Sequence, residues 1–185
     1  MAFTQLDPKT ALIVIDLQKG ILALPGVENP LDIVAKARVI AEQFRHHKLP
    51  VVLVTVAGRP IGRADRIVAD SQPPADWEDL SPELGAQPED LRITKRTWGA
   101  FSTDLDARLK ALGVTQVVIL GVATSVGVES TVRQAHELGY HVSVVTDAVT
   151  DLNADTHHNS ITRVFPKISE TGSTQDLLQL LSQRA

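Results

Sequence analysis

Four short runs of apolar, mostly β-branched residues constrain this chain more than anything else in it: Leu12–Ile15, Val51–Val56, Gln116–Leu120 and His141–Thr146. A strand with one face in water alternates apolar and polar residues. A strand covered on both faces does not, and runs of this kind belong to parallel sheets buried between helices. The stretches between the runs support the same reading. From Leu31 to His47 the apolar residues fall at 33, 34, 37, 40, 41 and 44, which is helical spacing, and Pro50 stops the run. Further helices are expected over 104–112, ended by Gly113, over 126–138, ended by Gly139, near 154–164 and over 174–182. Brief strands are expected over 91–94 and near Ile168. Strand and helix alternate throughout, so the expected fold class is α/β: a single domain over residues 1–185, with three layers (α/β/α) around a mostly parallel sheet.

Size and composition agree with one soluble enzyme-sized domain. The 185 residues are 43% hydrophobic and 22% charged, with a net charge of −4. That balance gives no reason to expect a nucleic-acid or membrane partner. The first residues, MAFTQLDPKT, lack a signal-peptide pattern, and no apolar run reaches the ~20 residues of a membrane span, so a cytoplasmic location is expected. Cysteine is absent, which excludes disulfides, thiolate metal sites and cysteine nucleophiles. Residues 57–90 form a long segment in which Pro, Gly and Asp are frequent, and a loop of that length in a compact domain usually covers a site.

In a parallel α/β sheet, sites form just beyond the carboxyl ends of the strands. That rule selects Asp16, the stretch after Val56, Lys95 and the 121–127 turn. Asp16 reads either as a surface or capping carboxylate, or as a carboxyl whose pKa burial raises and a nearby cation lowers, poised for acid–base work. Lys95 reads either as solvated or as the cation of a pocket flanked by Trp98 and Phe101, which are equally suited to core. Gly121–Gly127 matches neither the dinucleotide nor the phosphate-loop fingerprint. It is a strand–turn–helix whose N–H groups are able to hold an oxyanion. Within it Ser125 is either a nucleophile, for which no histidine lies nearby in sequence, or the helix N-cap. The basic cluster Arg59, Arg63 and Arg66 reads as solvated surface or as contacts for an anionic substrate. The pairs His46-His47 and His157-His158 read as surface, since neighbours on a helix diverge by about 100° and rarely close on one metal.

Three segments, ALIVIDLQKG at 11–20, ITKRTWGAFSTDL at 93–105 and LGVATSVGVESTVRQAHELGYHVSVVTDAVTD at 120–151, together resemble the isochorismatase-like hydrolase superfamily, which includes the cysteine hydrolases. The likeness runs from about residue 9 to 182. It implies six strands in the order 3-2-1-4-5-6. It also implies a non-proline cis peptide before the threonine of the segment Val122-Ala123-Thr124, which would aim the N–H groups of Ala123 and Gly127 at one point. The superfamily's Asp, Lys and Cys triad falls on Asp16, Lys95 and Gly127. Glycine cannot form the thioester of the amidase members, whereas isochorismatases proper cleave a vinyl ether with glycine at this place. The resemblance therefore implies a Cys-independent hydrolase acting on a small anionic substrate. Asp16 would be the general acid, Lys95 would hold a substrate carboxylate and tune Asp16, and Gly127 would leave space.

Gln18, Arg59, Trp98, Phe101, Ala123 and Thr124 would contact the substrate. Ala57-Gly58-Arg59-Pro60 departs from the glutamine-proline-glycine stretch expected after the second strand of true isochorismatases. Two alternatives stay open: amide or ester hydrolysis by activated water or Ser125, and a catalytically silent binding protein. No cofactor is implied, and no metal, because metal-dependent relatives carry histidines after the second strand and residues 57–66 hold none. Relatives are often dimers or tetramers, so a homo-oligomer is expected.

Overall fold

The computed structural model describes residues 3–26, 29–58, 62–65 and 73–184. Six parallel strands form one sheet in the order β3-β2-β1-β4-β5-β6. They are β1 (Thr10–Ile15), β2 (Val51–Val56), β3 (Leu91–Lys95), β4 (Gln116–Val122), β5 (His141–Thr150) and β6 (Glu170–Gly172). Every residue of β1 and β4 is buried, which is why their sequences show no alternation. The helices are α1 (Lys19–Leu22), α2 (Pro30–His46), α3 (Leu105–Ala111), α4 (Glu129–Glu137), α5 (Ala154–Asn159), α6 (Phe165–Ile168) and α7 (Thr174–Ser182).

Local chemistry sets the helix ends. Asn29 caps α2 by accepting from the Leu31 N–H, with Pro30 at the first helical position. Ser173 and Asp176 form a reciprocal capping box on α7. The connections run from β1 toward β2 in one direction and from β4 toward β6 in the other, so right-handed crossovers place helices on both faces. α2 buries Ile33, Val34, Ala37, Ile40, Ala41 and Phe44 and packs with α7, while α4 packs with α6. Among the described residues no helix is long and apolar enough to cross a membrane.

Several boundaries differ from expectation: β4 runs on to Val122, and Ile168 closes α6, with the strand expected near it lying at Glu170–Gly172. β5 continues past Thr146 to Thr150, because its register with β4 shifts between the Ile119–Val144 and Gly121–Val149 pairs. Asp147 sits in this irregular stretch and looks in sequence like a turn residue, but its carboxylate accepts from the N–H and hydroxyl of Thr174 at 2.7 and 2.9 Å. The helix expected from Val126 is preceded by a wide π-type turn over Thr124–Val128, and α4 proper starts at Glu129.

Candidate active site

β1 ends at Ile15, and the next residue, Asp16, adopts the left-handed conformation at φ 52°. Few non-glycine residues do so, although Asp tolerates it better than most, and such outliers gather at functional sites. The chain thus breaks sharply where the carboxylate leaves the sheet, with the Asp16 N–H still donating to Val54 O at 3.0 Å. β4 can lie close alongside because Gly121, at φ 124°, has no Cβ. A Cβ there would fall 2.1 Å from Ile15 O.

Lys95 ends β3, two strands from β1 and so roughly 10 Å across the sheet. Its long side chain spans the gap, and its Nζ donates to Asp16 Oδ2 at 2.7 Å. The pair is almost sealed, with side-chain exposures of 2% for Lys95 and 7% for Asp16. Asp16 Oδ1 is buried with no hydrogen-bond partner. Burial raises the Asp16 pKa, and the charge and hydrogen bond of Lys95 pull it back, leaving it at about 6 against an ordinary 3.8.

The third element is the turn after β4. Its cis peptide is Val122–Ala123, one bond earlier than the bond before Thr124 that the resemblance implies. Gly127 is buried, and a Cβ built on it would lie 3.0 Å from Asp16 Oδ2. Asp16 Oδ2 therefore meets both the Lys95 ammonium and the bare backbone of Gly127. Four contacts made outside the turn itself hold this arrangement. Asp151, 3% exposed, accepts the Ser125 N–H on Oδ2 at 2.6 Å. Thr124 Oγ1 pairs with His157 Nδ1 at 2.9 Å. Thr131 Oγ1 donates to Gly127 O at 2.7 Å and accepts the Ala100 N–H at 3.1 Å, which ties the segment after β3 to the start of α4.

These elements enclose a cavity of about 240 Å³. Asp16, Lys95, Ala123, Gly127 and Trp98 all line it, as the sequence suggests. Three expected contacts lie elsewhere. Gln18 is fully buried and serves the backbone: Nε2 donates to Val56 O and Trp77 O at 3.0 and 3.1 Å, and Oε1 accepts the Val56 N–H at 2.7 Å. Phe101 packs against Tyr140, with ring centroids 5.6 Å apart, away from the cavity. Thr124 is fully buried and directs its hydroxyl to His157. Arg59 and Arg66 lie outside the described residues, and Arg63 is exposed. Ser125 is neither the helix cap nor a cavity residue. Ala123 occupies the cap position, and Asp151 takes the Ser125 N–H.

Sequence reasoning missed Trp77, Asp151 and His157. Trp77 comes from the long segment after β2 and forms one wall of the cavity, seated on Gly20, where a Cβ would fall 1.9 Å from its Cδ1. Its rarity was a usable signal, since the chain has only two tryptophans and both line the cavity. His157 is half-buried and hydrogen-bonded, so reading it as plain surface was wrong; His158 is exposed. Nothing local marks either His157 or Asp151, because their partners are 33 and 26 residues away.

Comparison with known proteins agrees with the fold and with the order of these segments. The isochorismatase domain matches residues 10–176. The uncharacterized isochorismatase family protein YecD of Escherichia coli O157:H7 is 39% identical over 184 residues, covering 93% of this chain and 96% of that protein. The ureidoacrylate amidohydrolase RutB of Pantoea ananatis is 30% identical over 171 residues, covering 76% of this chain and 68% of RutB. An isochorismatase family protein from Burkholderia thailandensis superposes with a TM-score of 0.92 at 39% identity, covering 97% of this chain and 98% of the other. With the domain matched over most of the chain, and relatives 39% identical over nearly the whole of it, this protein belongs to the isochorismatase family of hydrolases.

Proposed function

We propose that the protein hydrolyses a vinyl ether, or a related bond, of a small substrate without a covalent enzyme intermediate, with Asp16 as the general acid. The observation that carries this reading is the buried Asp16–Lys95 pair facing a side-chain-free Gly127. A carboxyl with a pKa of about 6 holds its proton over part of the neutral range and can still release it. The proton passes to the terminal alkene carbon, and the alkene electrons form the new C–H bond. The oxocarbenium carbon that results takes water, and the hemiketal collapses to a carbonyl compound and an alcohol. Water returns the proton to Asp16. Lys95 stabilises the carboxylate left after the transfer. It does so from behind, with its ammonium committed to Asp16, so the expected contact from Lys95 to a substrate carboxylate would require that bond to be shared. Apart from Thr97, the remaining described side chains of the walls, including Trp77, Trp98, Val126 and Leu152, are apolar, which favours a substrate with an apolar body.

A second reading draws on the similarity to RutB. Here an amide carbonyl would occupy the cavity, and ionised Asp16 would take a proton from an attacking water. The position of Ser125 outside the cavity favours water over serine as its nucleophile.

The sign of the pH profile separates the two. Catalysis by the protonated form predicts that kcat/KM falls as pH rises through about 6, and catalysis by the carboxylate predicts that it falls as pH drops through about 6. The experiment is pyruvate release from isochorismate between pH 5 and 8, with intact-mass analysis during turnover. Asp16→Ala is expected to lose on the order of 10²–10⁴-fold in turnover. Full pyruvate release by Asp16→Ala, or a covalent adduct on the protein, would overturn the general-acid reading.

A further inference from the structure

We propose that His157 is a positioning residue for this site, acting through the buried hydroxyl of Thr124 on the turn that presents Ala123 and Gly127 to the cavity. The inference rests on the same site as the proposed hydrolysis but not on the identity of its substrate.

Backbone hydrogen bonds shape the turn over Thr124–Val128 from within: the N–H groups of Val126 and Val128 both converge on Ala123 O, and no side chain caps it at Ala123. Its side-chain anchors come from outside it, and two of these come from the segment following β5: the Asp151 carboxylate on the Ser125 N–H, and the His157 ring on the Thr124 hydroxyl. Thr124 has no exposed surface, so its hydroxyl has no water to fall back on if the ring is removed. Thr124 is flanked by Ala123 and lies three residues before Gly127, both of which line the cavity.

The geometry on the histidine side is uneven in an informative way. His157 stands on α5, a six-residue helix with no buried residue. From this exposed helix one ring reaches inward to a fully buried hydroxyl next to the cavity-lining Ala123. The ring nitrogen Nδ1 lies 2.9 Å from Thr124 Oγ1, and their hydrogen bond fixes which way that hydroxyl points. Displacing backbone groups around a reacting centre by even an ångström costs rate rather than affinity. The plainer role for such a contact is to pin α5 to the body of the protein. That role would be felt in α5 and in the unfolding midpoint, not in the turn.

The test compares His157→Ala, His157→Asn, Thr124→Val, Thr124→Ser and the double variant His157→Ala/Thr124→Val in the full chain, with His158→Ala as the exposed control. Asn places a polar atom near the former Nδ1, and Ser keeps the hydroxyl. Two readouts are followed. In ¹⁵N–¹H spectra, His157→Ala and Thr124→Val are expected to move the amide signals of Ala123 and Gly127 in the same direction, with His157→Asn and Thr124→Ser restoring them. In turnover, His157→Ala is expected to lower kcat on the order of tenfold while KM stays within about twofold, and the double variant is expected to lose no more than either single variant. Additive losses, or amide shifts confined to α5 with those of Ala123 and Gly127 unmoved, would overturn the proposal. If no tested compound is turned over, the hydrolytic reading fails on its own, and the amide shifts still decide the role of His157.

Discussion

β1 and β4 lie side by side, with Thr10 opposite Gln116 at one end and Ile15 opposite Gly121 at the other, and the two ends treat their buried polar groups in opposite ways. At the amino end, Gln116 is 3% exposed and uses its whole side-chain amide. Oε1 accepts from the Asp7 N–H at 2.7 Å and from Thr10 Oγ1 at 2.9 Å, and Nε2 donates to Gln5 O and Ser143 Oγ, both at 3.1 Å. At the carboxyl end, Asp16 is as deeply buried, yet Oδ1 has no partner and the carboxyl sits at about 6 instead of 3.8. A buried polar group with every valence met locks a structure. One left short carries a strained, titratable charge, which is costly for folding and useful for proton transfer. The same two strands therefore supply a structural lock at one end and an incompletely paired, titratable carboxyl at the other.

The strongest way to break that contrast is at Lys95. Lys95→Met strips Asp16 of both influences that lower its pKa and leaves burial alone, so the carboxyl moves further above 6. A raised carboxyl pKa means that the folded protein binds the proton more tightly than the unfolded chain. The stability Asp16 contributes is then full below about pH 4 and is lost as pH rises through the folded value. Lys95→Met should therefore be hurt least near pH 4 and most at neutral pH and above, where removing one partner of a buried pair costs about 3–5 kcal/mol. Urea unfolding at pH 4 and pH 7.5 measures this, and an equal loss at both would mean that Asp16 is not a strained carboxyl.

The amino end predicts a smaller and flatter effect. Gln116→Leu takes the partner from the Asp7 N–H and removes one contact from Ser143 Oγ and from the Thr10 hydroxyl, which keeps its bond to Asp7 O, at about 1–3 kcal/mol in total once water reaches the more open groups. The loss should not vary between pH 4 and 7.5, and kcat of the folded enzyme should not change. A turnover defect in Gln116→Leu would show that the two ends of β1 and β4 are coupled.

This division also marks what could be read in advance. The buried strands were legible because unbroken Val and Ile leave few alternatives, and Asp16 and Lys95 were legible because they stand at strand ends. The strand order and the meaning of Gly127 needed the family resemblance. What stayed hidden depends on contacts between distant parts of the chain. Gln18 looked like a pocket residue by position, but it is consumed by backbone groups of Val56 and Trp77. Ser125 looked like a cap, but the capping carboxylate is supplied by Asp151. Phe101 and Trp98 are three residues apart in an irregular segment, where no period predicts which one faces the cavity and which one packs on Tyr140.

The smallest expected effect concerns how Trp77 is held over the carboxyl end. Besides the Gln18 amide on Trp77 O, two kinds of bond join its segment to the start of α1. Lys19 Nζ reaches Asp76 and Asp79 at 3.0 and 3.3 Å, with all three side chains at least 40% exposed. Beneath them, backbone bonds run from Lys19 N to Asp79 O at 2.8 Å, from Gly20 N to Trp77 O at 3.0 Å and from Ser81 N to Leu17 O at 3.0 Å. Exposed ion pairs contribute little and fade with salt, whereas the backbone bonds and the seat on Gly20 do not depend on either charge. Lys19→Ala should thus leave KM within about twofold and the tryptophan emission unchanged. Gly20→Ala should shift the emission and raise KM, because its Cβ would occupy the position of the indole edge. An emission shift in Lys19→Ala as large as that in Gly20→Ala would mean that charge, and not the backbone, sets this wall of the site. The wall would then loosen with added salt while the Gln116 end stayed firm.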